Sequence, residues 1–417
     1  MPTVRTLPSG LRVVLEARPD ARSAALGFWI GAGSRHETAE RHGVAHLTEH
    51  LLFKGSRNRP TSLEITRDVE RLGGELNGET DNEHTGYFVK VPSEHWRTAL
   101  DVLAEMIRFP RLRARDVRNE RRVVSEEIAG YRDTASEHVL DRLEELLWPE
   151  QALGRPVLGT EASLAALGRK AVAEHLARFY TPANLVVSAA GRFDTEALFE
   201  RLEASFSGSA GGAAPAFEPA REEQSRPAAV QERRDLDETQ LCLAVRTFRR
   251  DHPDRYGLRL LQMILGEGMS SRLFQQIRDR RGLAYDVGTL LLSFSDAGAL
   301  VVHAGAAPRR AEEAAKRILE ELLRLAGEPP SDRELADAKE QYLGGLALDL
   351  EDTGAYSDWS GKHLLLNGAV PDLEEVERKV RAVERQDLLR IARACFREER
   401  LSLAVVGVPL RRLPFEA

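Results

Sequence analysis

The sequence predicts an α+β protein of two homologous domains, each a mainly antiparallel sheet flanked by helices. Three observations lead there. The chain has 417 residues, too many for one ordinary core and comfortable as two. Short β-rich runs alternate with long helical patterns, and landmarks recur between the two halves. Hydrophobic residues make up 42% and charged residues 30%, the balance of a globular chain and not of a disordered one.

In chain order, LRVVLEA, AALGFWIG, TGYFVKV and LVVSAAG read as half-buried strands and EHWRTALDVLAEMIRF as a helix. From Ser205 onward, SFSGSAGGAAPAFEPAREEQSRPAA replaces periodic apolar positions with Gly, Pro and small residues, which marks a linker. The expected domains are therefore 1–206 and 229–417, joined by 207–228. HGVAHLTEHLL from His42 resembles YGLRLLQMILG from Tyr256, and NLVVSAAG from Asn184 resembles RLSLAVVG from Arg400. Gly43 then matches Gly257 and Gly191 matches Gly407, with an offset that changes by only two residues. Internal duplication is the simplest account. The alternative is two α/β domains that happen to place glycines alike. LGRKAVAEHLARFY and VERQDLLRIARACF put a helix before the last strand of each half.

The formal net charge of -7 argues against a phosphate-neutralising surface, so nucleic acid is not the expected partner. Cys242 and Cys395 sit in apolar surroundings in different halves and suggest neither a disulfide framework nor a thiolate metal site. The first residues lack the apolar core of a secretion signal, and no uncharged apolar run approaches the roughly 20 residues that span a bilayer. The expectation is a soluble cytoplasmic protein of bacterial type, with no membrane partner.

In RHGVAHLTEHLLFKG, Val44, Leu47, Leu51 and Leu52 recur at roughly helical spacing. His46 and His50 are then one turn apart on one face, where two imidazoles reach one ion at about 2.0–2.1 Å each. Glu49 flanks that ion without ligating it. Zinc acidifies a water, and the carboxylate takes its proton as a carbonyl is attacked. The bland alternative is a chance cluster on a solvated helix face, and a third ligand decides between them. DVRNERRVVSEEIAGYRD is a second helical pattern with an apolar stripe at Val117, Val124, Ile128 and Tyr131. At about 100° per residue, Glu120 and Glu127 fall within roughly 60° of that stripe, whereas Glu126 points about 160° away. Glu127 is the expected third ligand, and Glu120 the group that orients a histidine or tunes the metal. The alternative is that both pair with arginines such as Arg121 or Arg132.

With these residues in place, the sequence resembles the inverted zincins, the pitrilysin and mitochondrial-processing-peptidase family, whose signature is H-x-x-E-H. The resemblance takes in HGVAHLTEHLLFKG, GGELNGET from Gly73, ERRVVSEE from Glu120 and GMSSRLFQQIRDRRGLAYDV from Gly268, and so covers both halves. It implies a third ligand at Glu127, one zinc ion in the first domain, a second domain of similar fold without metal, and a peptide substrate. In the second half, Leu260, Met263 and Ile264 stand where His46, Glu49 and His50 stand in the first. The resemblance assigns Arg281 and Tyr285 to gripping the substrate, as donors to peptide carbonyls and a developing oxyanion. The plain alternative is a surface charge and a strand residue. It also assigns Asn77, with Gly78 to Thr80, to an edge strand that pairs with an extended peptide, the alternative being a hairpin turn at Asn77 and Gly78. Phe53 has two roles open, lining the pocket beside the scissile bond or filling the core.

Short members of the family work as dimers. One chain here carries both the zinc set and the arginine and tyrosine, so a homodimer enclosing a chamber is expected. The functional expectation is a zinc metalloendopeptidase acting on extended or unfolded peptides. The alternative within the same fold is a non-catalytic assembly or processing-partner subunit, and a third reading is a site for cobalt or manganese.

Overall fold

The computed structural model describes residues 2–208 and 216–416. Its strands are β1 (Thr3–Thr6), β2 (Arg12–Ala17), β3 (Ser23–Ile30), β4 (Glu75–Thr80), β5 (Thr85–Pro92) and β6 (Leu185–Gly191), then β7 (Ala228–Arg233), β8 (Thr239–Thr247), β9 (Ala284–Ser293), β10 (Gly298–Ala306) and β11 (Leu401–Gly407). The first six form one sheet in the order β1-β2-β6-β3-β5-β4, and the last five another in the order β7-β11-β8-β10-β9. Each sheet is antiparallel apart from one parallel pair, β2 with β6 and β7 with β11. Without β1 the two topologies superpose strand for strand, the pattern a duplication leaves. This is the α+β architecture expected of the chain.

Two compact units emerge, and neither is contiguous. The first comprises Met1–Ile128, Pro156–Glu218 and Leu346–Asp372; the second comprises Ala129–Arg155, Pro219–Gly345 and Leu373–Ala417. Each half of the sequence thus gives a segment to the other half's sheet. The Thr353–Asn367 helix lies on β3 and β6 of the first sheet, and the Ala135–Leu147 helix lies on β8 and β11 of the second. The compact units therefore depart from a simple division at the linker. Of that linker, residues 209–215 lie outside the described residues; Phe217 beyond them packs its ring 4.0 Å from the Arg35 guanidinium.

The exchange explains why β3 and β6 are buried along nearly their whole length. One face carries the main core of the first unit, where Leu100, Leu103 and Ile107 of the Trp96–Arg108 helix meet Leu26, Phe28 and Val89. The other is sealed by Thr353–Asn367, whose approach depends on Gly361. A Cβ there would lie 2.1 Å from Trp29 Nε1. Trp29 is fully buried, and its indole N–H donates to Ser188 Oγ at 2.8 Å, which in turn meets Ser357 Oγ of the helix at 2.9 Å.

The alternative of a turn at Asn77 and Gly78 falls, and one local expectation changes. Asn77 and Gly78 lie within β4 and not in a turn; the chain reverses at Asp81–His84, where Asp81 N–H donates to His84 O at 2.9 Å. Tyr131 is 40% exposed and is not part of the buried stripe, because the chain leaves the first unit after Ile128.

Candidate metal centre

The Val44–Leu52 helix begins at Gly43, held at φ 88°. The Glu37 carboxylate accepts from the backbone N–H groups of Gly43 and Ala45, each at 2.7 Å, and so places an anion at the positive end of the helix. Val44, Leu47 and Leu51 pack on Val117, Val124 and Ile128 of the Ala114–Asp133 helix. That seam fixes the two helices in register and brings Glu120 and Glu127 against the two histidines.

His46 and His50 stand with ring centroids 4.6 Å apart. Glu127 Oε1 lies 3.8 Å from His46 Nε2, and Glu127 Oε2 lies 3.5 Å from His50 Nε2. One donor atom from each of the three residues falls within 4.8 Å of the others. Ligand bonds near 2.1 Å in a tetrahedron separate donors by about 3.4 Å, so this set fits one zinc ion with small adjustments. Two nitrogens and a carboxylate oxygen are also the donor types zinc accepts, with a fourth position left for water.

The charges favour a cation. Burial and the neighbouring His50 push the His46 imidazole down to about 3, so it is neutral with a lone pair to give. Its Nδ1 is buried without a hydrogen-bond partner. Burial works against charge on His50 too, but the Glu120 hydrogen bond and the carboxylates of Glu49 and Glu127 outweigh it and raise that imidazole above its ordinary value. Burial also raises the Glu127 and Glu49 carboxyls. Glu120, 5% exposed, faces His50 Nδ1 at 3.3 Å with one oxygen and Lys54 Nζ at 2.9 Å with the other. These contacts outweigh its burial and hold its carboxyl below the usual range. A donor bond from His50 Nδ1 to Glu120 turns Nε2 toward Glu127. Arg121, the alternative partner for these acids, donates instead to Ala165 O at 2.6 Å. Glu126 is exposed.

Glu49 is 9% exposed and accepts from Thr80 Oγ1 at 2.7 Å. A Cβ on Gly78 would sit 3.0 Å from Glu49 Oε1 and from the Phe53 ring, close enough that these neighbours would have to shift by a few tenths of an ångström. Phe53 is half-buried and packs on Tyr87 at 5.9 Å. Asn77 lies one residue along the same edge strand. Arg281 and Tyr285 belong to the second unit, just before and within β9. Tyr285 is 75% exposed with the Arg278 guanidinium 4.9 Å from its ring, and Arg281 bonds to Gln276. In that unit Leu260, Met263 and Ile264 are buried on the Arg255–Gly266 helix, an apolar set with no metal donor.

Sequence reasoning missed three neighbours of the site. Thr80 was taken only as backbone for pairing, yet its hydroxyl holds Glu49. Lys362 and Asp358, from the exchanged helix, join Glu79 of β4 through Lys362 Nζ, 2.7 Å from each carboxylate. The signal for that helix lay in small residues at Gly354, Ser357 and Gly361, a spacing of three and four that permits close packing.

The family described as Insulinase (Peptidase family M16) matches residues 12–161, and its companion Peptidase M16 inactive domain matches residues 166–342. A Bacillus subtilis protein named uncharacterized zinc protease YmxG is 35% identical over 96% of this chain and 97% of its own length. A Mycobacterium leprae protein, uncharacterized zinc protease ML0855, is 37% identical over 96% of this chain and 91% of its own. The fold matches that of a protease from Helicobacter pylori with a TM-score of 0.90 at 22% identity, covering 98% of this chain and 99% of that one. A Pseudomonas fluorescens structure described as a peptidase M16 inactive domain also gives 0.90, at 19% identity and 98% coverage of both chains. Helices on mainly antiparallel sheets with an H-x-x-E-H helix define the inverted zincin class. The chain belongs to its insulinase, or M16, peptidase family.

Proposed function

We propose that the protein is a zinc-dependent endopeptidase that hydrolyses extended or unfolded peptides. The observation that carries the reading is the meeting of His46, His50 and Glu127 donor atoms within 4.8 Å of one another, in the electrostatic reach of Glu49. A zinc ion held by His46, His50 and Glu127 would supply an acidified water and a positive charge for the scissile carbonyl. Glu49 takes the water's proton at Oε1, since Oε2 already accepts from Thr80, and passes it to the leaving amine. Gly78 keeps Oε1 unobstructed. The free edge of β4 offers backbone groups from Asn77 to Thr80 to an extended peptide, and Phe53 lines the adjoining pocket. Arg281 and Tyr285 serve as exposed donors to substrate carbonyls.

The reading includes a homodimer enclosing a chamber, supported by the presence of both residue sets in one chain. A solution mass of one chain would remove that part. It also includes a cytoplasmic setting, which the two free, buried cysteines support. Among the described residues no helix is long and apolar enough to cross a membrane.

The test is a peptide mixture incubated with Glu49→Gln and with His50→Ala. Glu49→Gln keeps one zinc per chain and loses cleavage by about 10²-fold or more; His50→Ala loses both metal and cleavage. Unchanged cleavage by Glu49→Gln sinks the mechanism, and full metal content in His50→Ala sinks the ligand set.

A further inference from the structure

A cavity of about 720 Å³ opens beside the free edge of β4, between the sheet and the Thr353–Asn367 helix. Its inner wall is apolar, with Trp29, Phe88 and Ala25 from the sheet and Ala355 from the helix. Its rim is charged. Glu75, Glu79, Asp352 and Asp358 stand against only Lys90 and Lys362. Lys90 is paired with Asp352, and Lys362 bridges Glu79 and Asp358. Two carboxylates are therefore in excess over the lysines, and Glu79 also meets His84 Nε2 at 3.0 Å. Glu75, exposed at the start of β4, makes no ion pair among the described residues.

Successive side chains of a strand point to opposite faces. On β4, Gly78 and Thr80 face Glu49 and Phe53. Glu79 faces the other way, toward Lys362, and Glu75 and Asn77 share its face by alternation and line the same cavity. A peptide that extends this sheet shares both faces, so every second side chain near the cleaved bond turns toward the cavity. This step rests on the peptidase reading above.

We propose that this cavity is a specificity pocket that receives Lys or Arg side chains from alternate positions of the bound peptide. Those side chains join an aliphatic stem to a cationic head. The apolar wall covers the stem, the Phe88 ring adds a face attractive to the cation, and the surplus carboxylates meet the head. Acidic side chains at the same positions meet like charge and are disfavoured. The volume accommodates more than one side chain, as alternation requires.

The test separates binding from cleavage by using zinc-loaded Glu49→Gln. Two fluorescent peptides of equal length, one with Lys at every second position and one with Glu there, are titrated and read by anisotropy. The Lys peptide is expected to bind about tenfold tighter, and adding Glu75→Lys to lower its affinity about fivefold without weakening the Glu peptide. Charge reversal at Glu70, exposed at the end of the Ser62–Glu70 helix and outside the cavity, leaves the difference in place. Equal affinity for the two peptides, no binding of either, or an equal effect of the two reversals overturns the pocket. Cleavage by the unmodified protein is measured in parallel. Cleavage without discrimination removes the pocket alone, whereas discrimination by a protein that cleaves nothing removes the peptidase reading alone.

Discussion

Thr80 Oγ1 donates to Glu49 Oε2 at 2.7 Å, so a residue of the sheet edge fixes the carboxylate carried by the helix. A hydrogen bond to a charged group contributes about 1.5–3 kcal/mol. Thr80→Val is expected to lower kcat by roughly 10- to 100-fold with zinc content and KM little changed, and Thr80→Ser to restore most of it. A fall in KM and kcat together, or no rescue by serine, would show that Thr80 acts only as backbone.

Metal affinity should grade with distance from the ion. Glu127→Ala removes a donor and is expected to abolish stoichiometric binding. Glu120→Ala leaves all three donors but frees the His50 ring, and is expected to weaken zinc by about 10- to 100-fold. Competition against a chromophoric chelator measures both. Equal losses in the two variants would place Glu120 among the ligands.

The contact between Gly361 and Trp29 leaves no room for a methyl group. Gly361→Ala is expected to cost about 1–3 kcal/mol through overpacking, read as a lower denaturant midpoint at unchanged slope. An unaltered midpoint would mean that the helix sits further from the sheet than described.

Glu79 provides a pH signature. Burial disfavours its charge, but His84 and Lys362 outweigh that and bring its carboxyl down to about 2, against about 4.3 in an unfolded chain. A carboxylate whose folded value is depressed stabilises the fold above the unfolded value, and that contribution is lost as pH falls toward the folded one. Stability should therefore decline between about pH 4.5 and 2, and Lys362→Met should flatten that decline. Unfolding titrations across the range compare the two proteins, and parallel curves would exclude the pair as a contributor.

Local features were the legible ones. His46 and His50 follow from one helical turn, and the face carrying Glu120 and Glu127 follows from the 3.6-residue period together with Val117, Val124 and Ile128. β4 was expected as an edge strand only through the family resemblance, whereas β5 and β6 were expected as strands because their residues alternate or run apolar. The exchanged helix was not legible. It packs through Gly354, Ser357 and Gly361, so it has no apolar stripe, and its partner strands lie in the other half of the chain. The Lys362–Glu79 pair and the cavity beside it were hidden for the same reason. Tyr131 was misread because periodicity carries a stripe onward with no knowledge of where the chain leaves a unit.

The crossing of the Thr353–Asn367 helix onto the first sheet sets an order of events during synthesis. The ribosome finishes β1 to β6 and both metal-binding helices well before it reaches Thr353. Until then Trp29 and Val14 lack their cover, because Leu364 of their cluster has not been made. The nascent first half therefore waits, with an apolar sheet face open, for most of the remaining chain. A ribosome stalled at the linker displays an unfinished domain, and severing the chain there yields two fragments that each hold a helix the other requires.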